Sequence, residues 1–399
     1  MCVLIIGGGI GGLTLAHGLR KADIEVLVLE QQTEKTEDLA GYGLHIDQNG
    51  RKALRSCLPL SNWTLQQTVF SSAGTRLFFR DTQLRVLAEK DDAKLSKRPT
   101  LEVERTAVGR LELRETLLEG LESIVQWGRL YVRLYVRYEK LSNGLLRAHF
   151  SDATYEDCHL LVGADGPNSA VRRQYMPALE RLDLEELTNG SLNNIVPSGS
   201  GWMFISAWGS DHAGGYASGD NSHYIVWAYV LPVDNITSEL DNLPTADLQK
   251  HVLRQTRDWS PDLKELVQGS DLSTIKCLSI RTMPTLAPWE PSNVTLLGDA
   301  IHNMTPMSGM GANTALRDAE VLTRCLIDVK ARRFEMVQGV GLYEGEMRSY
   351  GNDALELSRQ NAINACNGGK VGRFLFKGFL RTAQRFPVVM RATIGRSVS

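Results

Sequence analysis

Several signatures are scarce or missing in this 399-residue chain. Its six cysteines (Cys2, Cys57, Cys158, Cys277, Cys325 and Cys366) form no CxxC pair and no metal-ligand spacing. That argues against a bound metal and against a disulfide framework, and free thiols in a reducing compartment are expected. A net charge of −2 lacks the basic excess that a nucleic-acid partner would favour. No apolar run approaches the length of a membrane span. A first strand from Val3 leaves no room for a signal peptide, so a cytoplasmic enzyme is expected. Acids are missing from the tail: after Gly368 it carries Lys370, Arg373, Lys377, Arg381, Arg385, Arg391 and Arg396, with no Asp or Glu. A surface helix packed on the body is expected there, with membrane-surface binding the minority alternative.

The rest of the composition, 43% apolar and 23% charged, is that of a soluble globular protein. The length exceeds one ordinary core, so two lobes are expected. The first thirty residues set the organisation. Val3-Leu4-Ile5-Ile6 reads as a strand and Gly7-Gly8-Gly9-Ile10-Gly11-Gly12 as a turn. Leu13 to Ala22 reads as a helix, and Glu25 to Leu29 as a second strand closed by Glu30. This is the order of a dinucleotide-binding βαβ unit. Gly7 permits the tight turn, Gly9 lets backbone N–H groups approach a pyrophosphate, and Gly12 lets helix pack on strand. The helix start favours an anion through its unpaired donors and dipole. Glu30 stands where an acid would bind the adenosine ribose hydroxyls. Asp23, before the second strand, tolerates a left-handed backbone. The motif does not distinguish NAD, NADP and FAD.

Gly41 and Gly43 precede an alternating run to Gly50, which fits either backbone passing close to a ligand or a loop feeding a strand. Thr106 to Leu121 has helical periodicity, with Leu113, Leu117 and Leu121 on one face. Arg110 and Arg114, four apart, share a face, where such arginines are usually solvated. Leu130 to Tyr138 reads as a half-exposed strand. His159 to Val162 leads into Gly163-Ala164-Asp165-Gly166-Pro167, an acid at a strand's carboxyl end, where open α/β sheets bind ligands. Val294 to Leu297 leads into Gly298-Asp299-Ala300-Ile301-His302. Pro306, Gly309, Gly311, Ala312 and Asn313 follow, and a helix is predicted from about Thr314 to Val329. Its start offers a second set of free N–H donors. A lone histidine after a strand, His302, reads more readily as structural than as an acid or base. Leu182 to Gly201 is loop-like. Two aromatic strands follow, with Trp202, Phe204, Ser206 and Trp208 on one face of the first. Ile225, Trp227 and Tyr229 share one face of the second, opposite Tyr224, Val226 and Ala228. Such stripes are more often core, but three of seven tryptophans in one short sheet tilt the reading toward a pocket.

Together these stretches resemble the FAD-dependent aromatic hydroxylases, the group A flavoprotein monooxygenases that include salicylate and p-hydroxybenzoate hydroxylases. Gly7-x-Gly9-x-x-Gly12 with Glu30, Gly163 to Pro167, and Gly298 through Asn313 look like the family's three motifs. Arg110-x-x-Leu113-Arg114-x-x-Leu117 is similar to its arginine-bearing helix. The chain departs at Asn303, where many members have proline. The resemblance covers residues 1 to about 360 and implies an α/β fold. Its parts would be a Rossmann-like FAD domain of glutathione-reductase type (1–70, 100–174 and 285–360), an inserted β-sheet substrate domain (71–99 and 175–284) and a C-terminal helical tail (361–399).

The same resemblance implies bound FAD, with NADPH or NADH as a transient partner. Gly7, Gly9, Ile10, Gly11, Gly12 and Glu30 would hold the ADP half, Gly43 would lie against the flavin, and Arg110 would contact the cofactor. Asp165 would serve FAD and the nicotinamide, and Asp299 the ribityl chain. Pro306, Gly309, Gly311, Ala312 and Asn313 would line the isoalloxazine and pyrophosphate. The implied reaction runs through a flavin C4a-hydroperoxide that hydroxylates or epoxidises a small aromatic or natural-product substrate. The deprotonated form would instead carry out a Baeyer–Villiger oxidation of a ketone. Trp202, Phe204, Trp208 and Trp227 are pocket candidates, and His45 and Tyr224 weak candidates for proton donor. Two other classes share parts of the pattern: an NAD(P)-dependent dehydrogenase, and a non-catalytic dinucleotide-fold binding protein such as the prenyl-protein escorts.

Overall fold

The computed structural model describes residues 1–32, 43–72, 76–91, 106–127, 135–179, 193–198, 201–208, 224–231, 243–277, 281–366, 369–386 and 389. Five parallel strands form one sheet in the order Val294–Leu296, Leu160–Gly163, Cys2–Ile6, Glu25–Glu30, Val125–Trp127. Val3 to Ile6 and Leu160 to Val162 are buried without alternation, as strands covered on both faces should be. From Cys2–Ile6 the chain moves to Glu25–Glu30 on one side and later returns on the other as Leu160–Gly163. A crevice opens at such a reversal, at the strands' carboxyl ends.

Register brings the three turns together there. Ile6 pairs with Gly163, and Gly163 with Leu296. The turns beginning at Gly7, Ala164 and Leu297 therefore leave the same edge of the sheet at one level. The Ala164 N–H donates to the Ile6 carbonyl at 2.7 Å, and the Leu297 N–H to the Gly163 carbonyl at 2.9 Å. Gly7 has φ +112°, and a Cβ there would lie 2.2 Å from the Ala164 carbonyl oxygen. Glycine alone closes that corner.

The first helix is Ile10–Lys21, three residues ahead of the predicted start, so its free N–H groups lie inside the glycine turn. The helix predicted from Thr314 begins at Gly311 and runs to Lys330. The two pack side by side: a Cβ on Gly11 would meet Leu297 and Ala315, and one on Gly18 would meet Thr323. Asp23 is left-handed at φ 54°, and Lys330 reaches its carboxylate at 2.9 Å.

Two local expectations change, and a third is met over the residues the structure describes. Thr106–Gly109 is a strand antiparallel to Gly43–Ile46, and the helix spans Arg110–Leu118. The β-branched Thr106 and Val108 suit a strand once a partner is present. Within Leu182 to Gly201, Asn193–Val196 is a strand, paired to both Arg76–Asp81 and Trp202–Trp208. In the Leu130 to Tyr138 stretch the strand observed is Tyr135–Lys140, and 130–134 lie outside the described residues.

A second five-stranded sheet has the order Tyr224–Val230, Trp202–Trp208, Asn193–Val196, Arg76–Asp81, Val86–Asp91. Trp202, Val196 and Val230 on one face pack against Leu380 and Ala383 of the Lys370–Arg385 helix. Ile195 and Met203 on the other pack against Trp259, Leu263 and Val267. The basic tail thus supplies a helix that covers this sheet.

Candidate active site

Glu30 ends its strand almost buried and turns back on the glycine loop. Its Oε2 accepts the Gly8 N–H at 2.6 Å and its Oε1 the Gln32 N–H at 3.0 Å. Arg114 is not solvated as helix spacing suggests; it is 5% exposed. It donates to the Gly8 carbonyl at 3.1 Å and to Gln32 Oε1 at 2.9 Å, stands 3.6 Å from Glu30, and lies over the Trp127 ring. A buried arginine that keeps both an acid and a carbonyl is stable in place, and it fixes the wall on which Glu30 sits. The available signal was its place between Leu113 and Leu117.

The space in front of the first helix is open: a Cβ on Gly9 would meet nothing within 4 Å. No side chain caps this helix, and its first turn holds no acid. The same is true of Gly311–Lys330, whose start follows Met310. Uncapped starts leave N–H donors unmet and carry partial positive charge. Two of them, with a nearly buried acid suited to ribose hydroxyls, form a donor set that fits a dinucleotide diphosphate. The residues present fit the ADP half of FAD.

The third corner is built from charge. Asp299 opens the short helix Asp299–His302, and a Cβ on Gly311 would lie 3.9 Å from its Oδ1. Burial pushes the Asp299 carboxyl up, against the opposing charges of His302 and Arg110 and a hydrogen bond from Asn303. Arg110 is held down by burial and raised by Asp299, which makes the two electrostatic neighbours. Gly43 pairs with Gly109, one residue before Arg110.

Behind this corner lies a fully buried group that the sequence did not reveal. Asp318 Oδ2 meets His302 Nε2 at 2.6 Å and accepts the Gly298 N–H at 2.7 Å. Its Oδ1 accepts the Tyr350 hydroxyl at 2.7 Å. Burial by itself would lower the His302 pKa, but the charge and hydrogen bond of Asp318, with Asp299 adding, leave it raised. His302 is fully buried against Asp318, which also holds the Gly298–Asp299 turn from behind.

Asp165 faces its own turn. Its Oδ1 accepts the Ser169 hydroxyl at 2.6 Å and its Oδ2 the Ala170 N–H at 2.7 Å, at the start of the helix Ala170–Tyr175. Gly166, at φ +76°, has open space beyond it. Arg172 is buried and donates to the Ala300 carbonyl at 2.8 Å and to the Pro167 carbonyl at 3.1 Å, tying the second corner to the third. Asn313 works as a clamp. Its amide donates to the His45 carbonyl at 2.8 Å and accepts the Asp47 N–H at 3.0 Å, fastening strand Gly43–Ile46 to the helix start. Ala312 lies in that helix's first turn. Pro306 begins a 3-10 turn that ends at left-handed Gly309. Ser358 donates to the Thr305 carbonyl at 2.6 Å and anchors the turn to the Met336–Cys366 helix.

The aromatic candidates divide between two faces. Trp202 and Phe204, with ring centroids 6.3 Å apart, share a cluster with Met307 of the Pro306–Ser308 turn. Trp202 is mostly core, its indole donating to Asn194 Oδ1 at 2.9 Å. Trp227 does not belong with them. It pairs with Ile205, not Phe204, and a one-residue offset reverses the face. Its indole donates to Ser270 at 2.7 Å on the Trp259 side. The backbones of Trp208 and Tyr224 pair with each other, while their side chains lie outside the described residues.

Strand order and donor set define a dinucleotide-binding protein with a second sheet beside its third corner. Residues 143–333 match the family model of an FAD binding domain, and residues 5–43 that of an NAD(P)-binding Rossmann-like domain. A solved structure from Photorhabdus luminescens subsp. laumondii, assigned as an FAD-containing monooxygenase, is 39% identical with a TM-score of 0.81; the match covers 92% of this chain and 99% of that one. The dual O-methyltransferase/FAD-dependent monooxygenase CTB3 of Cercospora beticola is 26% identical over 87% of this chain, which spans 44% of that relative's length. The 2-heptyl-3-hydroxy-4(1H)-quinolone synthase of Pseudomonas aeruginosa is 28% identical over 81% of this chain and 80% of its own. The chain belongs to the FAD-containing monooxygenases, and its FAD-binding region matches the FAD binding domain model.

Proposed function

We propose that this chain uses NAD(P)H and dioxygen, with FAD bound, to place one oxygen atom on an aromatic or related natural-product substrate. The observation that carries the reading is the common level at which the turns after Ile6, Gly163 and Leu296 leave the sheet. FAD held there would supply the redox chemistry between a nicotinamide reductant and dioxygen. The chain's own residues bind and orient. Glu30 holds ribose hydroxyls, the start of Ile10–Lys21 holds the pyrophosphate, and the start of Gly311–Lys330 stabilises negative charge on the reduced ring. Asp299 serves the ribityl hydroxyls. The Trp202 and Phe204 face, continued by Met307, forms an apolar wall that keeps water from the reacting atoms.

In this reading 1–70, 100–174 and 285–360 form the FAD lobe, and 71–99 with 175–284 the substrate lobe. The ring-bearing product named for the quinolone synthase favours an aromatic substrate class. The test is product mass spectrometry under labelled dioxygen with a panel of phenols, quinolones, alkenes and ketones. One labelled oxygen atom per turnover is expected. A ketone converted to a labelled ester would assign the Baeyer–Villiger variant. Oxidised product formed without oxygen, or carrying no label, would mark a dehydrogenase and overturn the proposal.

A further inference from the structure

The Lys370–Arg385 helix has two unlike faces. Inward, Arg373, Leu380 and Ala383 are buried, and Phe376 stands 6.1 Å from the Trp202 ring. Outward, Val371 and Phe374 are each 74% exposed and Leu375 is 64% exposed. These three lie at i, i+3 and i+4 and so make one stripe. Lys370, Arg381 and Arg385 are also exposed and lie along one edge of it, and the exposed Phe386 follows the helix end. No Asp or Glu occurs after Glu356 in the entire sequence. A contiguous apolar stripe left in water marks an interaction surface. The helix itself carries no acid, although Glu89 lies beside Gln384 and Asp81 acts on Lys377, and its exposed cations favour an anionic partner.

We propose that this face rests on an anionic lipid surface. Val371, Phe374 and Leu375 enter the acyl boundary while Lys370, Arg381 and Arg385 meet headgroup phosphates. Among the described residues no helix is long and apolar enough to cross a membrane, so the helix lies along the surface. Its inward face covers the sheet that bears Trp202 and Phe204, so docking sets that sheet beside the lipid, where an apolar substrate would partition. The docking itself does not depend on the oxygenase reading.

Flotation of the full chain with vesicles tests this. Strong recovery is expected with phosphatidylcholine containing about a third phosphatidylserine, little with phosphatidylcholine alone, and less as salt rises. The double variant Phe374→Ser/Leu375→Ser should lower the bound fraction about tenfold. Arg381→Glu/Arg385→Glu should abolish the preference for anionic lipid. Both should keep the parent melting temperature, because all four side chains face outward. No recovery on anionic vesicles, equal recovery on neutral ones, or undiminished binding by the serine variant would overturn the proposal. So would a dimer in light scattering that the serine variant dissociates, since a second copy would then own the face.

Discussion

Gly9→Val is expected to give a folded, colourless protein. Gly9 sits at φ −79° and ψ −178°, an extended conformation open to valine. A Cβ there meets nothing within 4 Å, so the chain itself does not resist the change. The added methyl groups instead fill the approach to the first N–H donors of Ile10–Lys21, the proposed pyrophosphate site. A loss of FAD affinity of at least about 100-fold, near 3 kcal/mol, should follow. Flavin fluorescence titration reads the affinity, and far-ultraviolet circular dichroism reads the fold. Gly12→Val is the contrasting variant, because a Cβ there would lie 2.2 Å from the Gly7 carbonyl oxygen. It should damage folding itself. A yellow Gly9→Val protein with parental affinity would show that the glycine turn does not hold the cofactor.

Asp318→Asn should be among the most destabilising substitutions that preserve shape. The carboxylate is fully buried and meets His302, the Gly298 N–H and the Tyr350 hydroxyl at 2.6 to 2.7 Å. Removing one partner of a buried ion pair leaves the other uncompensated, at a cost of about 3–5 kcal/mol. The pH dependence has a definite sign. The folded pKa of His302 is raised, so its contribution is fully present below the unfolded value of about 6.5 and is lost as pH rises through the folded value. Urea unfolding across this window should therefore show His302→Gln with a flatter loss of stability toward alkaline pH than the parent. An unchanged slope would mean that the imidazole does not titrate with folding. Because Asp318 fixes the Gly298 N–H, the asparagine variant should also bind FAD less tightly.

The corners are legible in the sequence because their chemistry is local. A turn at φ +112° demands glycine at position 7, and a left-handed residue before the second strand accepts Asp23. What the sequence hides depends on partners that are distant in the chain. Arg114 is buried because Gln32, 82 positions away, and the Gly8 carbonyl receive it. Arg172 is buried by a carbonyl 128 positions on. Helical spacing says only which face a charge shares, not what the fold will bring to that face. Thr106–Gly109 becomes a strand through its pairing with Gly43–Ile46. Trp227 falls on the face opposite Trp202 and Phe204 through register with Ile205, which alternation within one strand cannot supply.

The glycine turn, Glu30 and the Asp299–Asn313 segment are proposed to enclose one extended flavin. The most direct test is a crystal structure of the FAD-loaded protein. Density is expected to run from an adenosine ribose on Glu30, across the N–H groups of Gly9 and Ile10, to a flavin ring at the start of Gly311–Lys330. Flavin bound elsewhere, or a nucleotide on Glu30 whose other end never approaches Asp299 and Gly311, would contradict the account.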